Sequence, residues 1–384
     1  MSAEKLYYTD PHLFDFSAIV TSCRKDGDRY AVTLDRTAFF PEGGGQQSDT
    51  GFIGDVEVTY VYEKNGEVFH VCGSSADVGR TYECRIDGER RLGFMKKHTA
   101  EHIISGIIHN RFGYDNVGFH LSENETTLDT SGKLTPEDIA AIELEANRVI
   151  QSNVEVRAFF PAADELADID YRSKKEIDGD LRIVIIEGVD ACACCAPHVY
   201  RTGEIGLVKI LKYYSWKGGM RLHITAGLEA YRDYADKYDT LARIAKAHSC
   251  GIEDVEDMIA KTESGIARLK DELRKAEALA VRAVASSAAS SEGEYFCYIT
   301  DMLSPDAAVK LAEECAGHKT VAAVFTGSGD TYNFVICSKT ASAKEFTDRL
   351  KQSIDLRGGG NDRMTRGRAT AAKEDIEQLF DGAV

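Results

Sequence analysis

Asp35-Arg36-Thr37-Ala38-Phe39-Phe40-Pro41-Glu42-Gly43-Gly44-Gly45-Gln46-Gln47-Ser48-Asp49-Thr50-Gly51 is the stretch on which the reading of the fold turns. Three consecutive glycines let the backbone approach a ligand and present N–H groups with no Cβ in the way. A glycine run alone reads equally well as a hairpin turn, so its meaning rests on its flanks. Around it lie short β-rich runs at 18–21, 30–34, 56–61 and 67–71, with turn signals at Asp26-Gly27, Asn65-Gly66 and Asp87-Gly88. Their spacing predicts a small antiparallel β-barrel over residues 1–90 that carries the glycine-rich motif.

From Arg90 the period becomes helical, with Leu92, Met95, Thr99, Ile103 and Ile107 three and four apart up to Gly113. A second helix opens at Thr135-Pro136-Glu137-Asp138, a capping-box pattern with Pro in the first turn. Strand-like runs follow at 154–157, 181–186 and 206–210, which predicts an α+β layer over residues 91–226. Next, Ile252, Val255, Ile259, Thr262, Ile266, Leu269, Leu273, Ala276 and Ala280 form a heptad seam. Leu228, Tyr231, Ala235, Tyr238, Leu241 and Ala245 give a similar stripe, so residues 227–285 are expected to form a helical hairpin or one arm of a dimeric coiled coil. The small residues from Ala285 to Ser291 read as a linker. Residues 292–384 read as a separate compact α/β domain. The whole is an α+β chain.

With 384 residues, 28% charged and 43% hydrophobic, the chain has the profile of a soluble globular protein of two or three domains. The longest apolar runs are far too short to span a bilayer, and the first thirty residues do not read as a cleavable signal. A cytoplasmic protein without a membrane partner is expected. Ten cysteines, sparse except at Cys192, Cys194 and Cys195, fit reduced thiols with some on metal. A net charge of −17 argues against coating nucleic acid through bulk charge, but a local basic patch can still bind phosphate.

His98-Thr99-Ala100-Glu101-His102 places two imidazoles on one face of the expected helix. Cys194-Cys195-Ala196-Pro197-His198 supplies a thiolate and a third imidazole from a loop. The N₃S set of His98, His102, Cys194 and His198 favours zinc, one ion per chain, over magnesium or calcium. Cys192 or Cys195 are alternatives for the thiolate. Glu101 follows the wrong histidine spacing for a metalloprotease base and reads as a solvated helix-face residue.

At this point the sequence resembles the editing domain of alanyl-tRNA synthetase and its free-standing relatives, the AlaX trans-editing proteins of the long form. The resemblance rests on the Asp35-to-Gln46 block, on His98 and His102, on Cys194 and His198 followed by Thr202-Gly203-Glu204-Ile205-Gly206, and on Lys217-Gly218-Gly219-Met220-Arg221-Leu222. The tail, with Gly358-Gly359-Gly360, resembles the C-terminal domain that those synthetases share with DHH-type phosphoesterases. No aminoacylation domain, ATP-binding signature or DHH motif is seen, which disfavours aminoacyl-tRNA synthesis and phosphodiester cleavage. Cys195-Ala196-Pro197 departs from the family's small residues between the metal Cys and His, and Asn361 to Arg366 replaces the expected small-residue run.

The resemblance implies a zinc-dependent hydrolase acting on tRNA(Ala) mischarged with serine or glycine. It implies that Thr37 meets the seryl hydroxyl; Gln46 and the N–H groups of Gly43, Gly44 and Gly45 are candidates for orienting water and carbonyl. For the tRNA, Arg357, Arg363, Arg366, Arg368 and Lys373 are the first phosphate candidates, with Arg90, Arg91, Lys96 and Lys97 second. A homodimer through the coiled coil or the C-terminal domain is a further expectation. Two alternatives remain open at this stage: a hydrolase of another aminoacyl ester or amide, and a non-catalytic RNA- or ligand-binding protein with structural zinc.

Overall fold

Period-two alternation builds the opening strands. In the computed structural model, which describes residues 3–173 and 181–381, β1 (Glu4–Lys5) leads to β2 (Asp15–Asp26), where Phe16, Ala18 and Val20 are buried and their neighbours face water. β3 (Arg29–Leu34) returns from the Asp26-Gly27 turn, and β4 (Arg36–Thr37) pairs in parallel with β1. β5 (Gly51–Ile53), β6 (Val56–Lys64), β7 (Glu67–Cys72) and β8 (Thr81–Ile86) follow. Asn65 and Gly66 both take positive φ between β6 and β7, as a two-residue hairpin turn demands. Strands β2, β3, β7, β6, β5 and β8 close in that order into a barrel, filled by side chains such as Val20, Leu34, Phe39, Ile53 and Val61.

Asp87, expected in a turn, is instead a helix cap: its carboxylate accepts from Arg90 N at the start of α1 (Gly88–Phe112), which stops at Gly113 with φ +69°. Phe94 to Ile108 is buried almost without interruption, so α1 is a core helix rather than an amphipathic surface one. β9 (Asn116–Leu121) and β10 (Thr126–Thr130) come next, then α2 (Pro136–Gln151), whose Thr135 and Asp138 form the reciprocal capping box. β11 (Val156–Phe159), α3 (Ala163–Ala167), β12 (Ile183–Ile186) and β13 (Asp190–Ala193) precede β14 (Val208–Trp216) and β15 (Gly219–Ala226). The strands form two sheets, β11-β12-β13 and β14-β15-β10-β9. Helices α1 and α2 share one core with them, including Ile103, Ile107, Leu128, Ile142 and Leu222.

Two long helices occupy the region expected to be a hairpin or coiled coil: α4 (Leu228–Ala247) and α5 (Val255–Ser290). Chain contacts divide the molecule into two units, Met1–Thr240 and Leu241–Val384. In the second, α5 is followed by β16 (Tyr295–Thr300), α6 (Pro305–Cys315), β17 (Val321–Ser328), β18 (Thr331–Cys337), α7 (Ala343–Leu350), β19 (Asp355–Gly360), β20 (Met364–Thr370) and α8 (Lys373–Asp381). The sheet runs β16-β17-β18-β20-β19. Alternate residues of β17 serve opposite faces: Ala322 and Val324 join a core with α6, while Val321, Ala323 and Phe325 join one with α7 and α8. Burial on both sides explains why β17 is almost continuously apolar.

The expected linker at 285–291 is a correction. α5 continues to Ser290, and Val281, Ala285 and Ala288, four and three apart, are buried against α6. Their small side chains mark close helix packing rather than a flexible tether. Among the described residues no helix is long and apolar enough to cross a membrane.

Candidate metal centre

α1 carries His98 and His102 one turn apart, both about 97% buried. β13 delivers the loop that holds Cys194 and His198. Arg182 fixes that loop, its Nη1 donating to the carbonyls of Cys194 at 3.1 Å and Ala196 at 2.7 Å. The Cys194 Sγ lies 3.6 Å from His98 Nε2 and 3.4 Å from His198 Nε2. One donor atom from each of the four expected ligands falls within 4.8 Å of all the others. Bonds of about 2.0–2.3 Å to a tetrahedral ion need donor separations of about 3.3–3.8 Å, so the set fits a metal ion after small rotations.

Each imidazole is aimed by a partner on its outer nitrogen. His98 Nδ1 donates to Gln46 Oε1 at 2.8 Å, and His102 Nδ1 to Asp190 Oδ2 at 2.9 Å. His198 Nδ1 lies 3.0 Å from Thr99 Oγ1, whose own proton goes to Met95 O, so the threonine accepts. Arg172 in turn grips Asp190, Nε to Oδ1 at 2.8 Å. These partners engage Nδ1 of each ring and leave Nε2 turned inward, the nitrogen free to ligate an ion. Spacing marked Thr99 only as a position of the helical stripe, and it marked none of Asp190, Arg172 or Arg182.

Electrostatics separates the three clustered thiols. Burial pushes Cys194 up, but the imidazoles of His98, His198 and His102 outweigh it and carry the thiol well below its usual range. Loss of solvation dominates at the other two: buried Cys192 is raised, and Cys195, a surface-exposed residue whose thiol is nonetheless poorly solvated, is raised to about 11. Cys194 is thus the thiol prepared to be a ligand. Burial takes His198 down to about 3. His102 is also buried, yet its bond to Asp190 leads the groups that carry it well above the ordinary imidazole value.

The glycine run is a turn. Gly43 and Gln46 exchange backbone bonds of 3.1 and 3.0 Å, and Gly44 and Gly45 take φ of +61° and +86°. A Cβ on Gly45 would sit 2.6 Å from Phe119 O, and the Phe119 ring lies tilted against His98, 4.6 Å between centroids. The turn therefore seats Gln46 beside His98. This corrects the expectation for Gly43, whose N–H is engaged within the turn; those of Gly44 and Gly45 make no hydrogen bond among the described residues. Gln46 is fully buried, and its Nε2 has no partner among them either.

Thr37 already has partners of its own. It is fully buried in the barrel, where its hydroxyl meets His70 Nε2 at 2.9 Å and accepts from Phe39 N. Glu101 is not solvated as expected: it is 2% exposed and accepts from Ser105 and Asn116. Three members of the second basic cluster are engaged internally, while Lys96 makes no ion pair among the described residues. Arg91 is buried on Asp49, Lys97 on Glu229, and Arg90 pairs with Glu123. In the C-terminal sheet Arg366 and Arg368 are exposed two residues apart on β20, and Arg357 of β19 faces Arg368. Arg363 lies in the turn between those strands, whereas Lys373 opens α8 and pairs with Glu377.

Residues 181–222, which include Arg182, Cys194, His198 and Arg221, match the family described as the threonyl and alanyl tRNA synthetase second additional domain. The chain is 27% identical to the alanyl-tRNA editing protein AlaX-L of Pyrococcus horikoshii over 97% of its own length and 96% of that protein. It is 26% identical to the alanyl-tRNA editing protein Aarsd1-B of Xenopus laevis, over 91% of this chain and 86% of that one. An alanine–tRNA ligase of Korarchaeum cryptofilum is 29% identical over 98% of this chain, which spans only 44% of the ligase. In length as well as sequence, the chain resembles the free-standing alanyl-tRNA editing proteins of the long AlaX type.

Proposed function

We propose that the chain is a trans-editing aminoacyl-tRNA deacylase of the cytoplasm that binds one zinc ion and hydrolyses serine or glycine from mischarged tRNA(Ala). The observation that carries this reading is the buried N₃S cluster with an aiming partner on every imidazole, set against a glycine turn. The donor set suits zinc's mixed preference for nitrogen and sulfur. Bound zinc would supply a Lewis acid beside the scissile ester. The unpartnered Nε2 of Gln46 and the N–H groups of Gly44 and Gly45 are the chain's own donors for a carbonyl or a water there.

A site selecting for a seryl hydroxyl has reason to exist, because rejection of a slightly larger amino acid by size alone reaches only roughly 10–200-fold. Thr37 remains the proposed hydroxyl partner, and the bond to His70 would have to share or yield. Residues 1–90 and 91–226 are read as the editing portion, and 292–384 as a domain of the DHH-associated kind that grips tRNA through Arg363, Arg366 and Arg368. The exposed heptad positions Ile259, Ile266, Leu269 and Leu273 of α5 support pairing with a second copy.

The test is single-turnover release of labelled serine from seryl-tRNA(Ala), run beside alanyl-tRNA(Ala), with zinc-loaded protein. Release of serine well ahead of alanine, lost in Cys194→Ala and His198→Ala, is expected. A folded, zinc-bound protein that releases neither would overturn the assignment.

A further inference from the structure

The hairpin of β14 and β15 carries side chains that the metal centre does not use. β14 ends in Lys212-Tyr213-Tyr214-Ser215-Trp216, and Lys217 and Gly218 turn the chain at φ of +45° and +89°. The register sets Lys212, Tyr214 and Trp216 opposite His223, Arg221 and Gly219. They share the sheet face turned away from the core, which takes Met220, Leu222 and Ile224 of β15.

On that face the rings are held in place. Arg221 is fixed by Asp129 at 2.6 and 2.7 Å, and its guanidinium lies 4.3 Å from the Trp216 ring. Lys217 Nζ stands 5.6 Å from the same ring. The Tyr214 hydroxyl lies 3.2 Å from His223 Nε2, and its ring stands edge-on to Trp216. Tyr214 is nevertheless 41% exposed. Lys212 and Lys217 are exposed and make no ion pair among the described residues. Trp216 Nε1 is buried with no acceptor among them, a donor that a ligand can satisfy.

We infer that this face is an RNA contact, in which an unpaired base stacks on the exposed Tyr214 ring with Trp216 edge-on beside it, while the flanking phosphates meet Lys212 and Lys217. Fixed aromatic rings flanked by unpaired cations are the arrangement that holds single-stranded nucleic acid, because every base offers a π-face and every nucleotide a charge. In a chain of net charge −17, such cations are a local feature rather than a product of composition. β14 is one edge of the sheet and β9 is the other, and Phe119 of β9, which stands against His98, shares the opposite, core face with Leu128 and Leu222. Three strand spacings of about 4.8 Å make that separation about 14 Å. The choice of RNA rests on the proposed function; the stacking face itself does not.

Trp216 is the only tryptophan and so is its own reporter. Titrating the full chain with an uncharged acceptor-stem minihelix bearing a single-stranded 3′ end should quench its fluorescence saturably, and a blunt duplex of the same stem should not. Tyr214→Ala should weaken the minihelix about tenfold, while Tyr214→Phe, which keeps the ring, should retain affinity. Replacing Lys212 and Lys217 with Ala should weaken binding and flatten its salt dependence. Absence of quenching, equal quenching by the blunt duplex, or equal quenching by polyglutamate would each overturn the inference, the last by assigning the face to an acidic protein. Uncharged RNA separates the two readings: serine release without quenching removes only this contact, and quenching without release removes only the deacylase.

Discussion

A histidine binds metal through whichever nitrogen its other neighbour leaves free, and Gln46, Asp190 and Thr99 decide that here. Gln46 was expected to act on water; the structure gives its Oε1 to His98 first. Gln46→Ala should therefore lower zinc affinity about 10–100-fold, measured by competition with a chromophoric chelator, and not lower turnover alone. Unchanged affinity would return Gln46 to the substrate and leave the His98 ring held by packing against Phe119. The ligands themselves were legible: four-residue spacing on a helix declares His98 and His102, and Cys194 and His198 sit in a matching loop. Their partners were not, because Gln46 and Asp190 lie 52 and 88 residues from the rings they aim. Only the folded chain brings them together. Thr37 was legible as a motif residue, but no one-dimensional pattern announces that His70 waits for its hydroxyl inside the barrel.

Strands and capped helices were readable wherever a local rule governs them: alternation in β2, the capping box of α2, the glycine stop of α1. The elements missed or misread are those in which small residues serve packing. A Cβ on Gly358, Gly360 or Gly367 would run into carbonyls of the facing strand, so these glycines let β19 and β20 approach closely. The alanines of α5 do the same for a helix pair, and composition cannot tell such a stretch from a linker. Ala288 is fully buried and Ala289 is exposed. Ala288→Leu should then destabilise the C-terminal unit by about 1–3 kcal/mol through overpacking, read from its urea midpoint, while Ala289→Leu should change stability by less than about 0.5 kcal/mol. Equal tolerance at both positions would restore the linker.

Taken as a whole molecule, a chain carrying 63 acidic and 46 basic side chains repels a polyanion unless basic groups are gathered locally. Many cations near α1 are engaged internally, as Arg91 is by Asp49 and Lys97 by Glu229, so they contribute little to long-range attraction. Arg366 and Arg368 are different: both are exposed on one strand, and neither makes an ion pair among the described residues. Each phosphate contact contributes about 0.9 to the slope of log affinity against log salt on duplex nucleic acid, because that many counterions are released. If the C-terminal sheet grips tRNA, replacing Arg366 and Arg368 with Ala should reduce the slope for uncharged tRNA(Ala) by about 2, measured by fluorescence anisotropy across a salt series. Lys373→Ala, which removes a charge already shared with Glu377, should reduce it by less. A slope unchanged by the double replacement would leave the electrostatic grip to the first unit, where Lys212 and Lys217 are among the exposed cations that make no ion pair among the described residues.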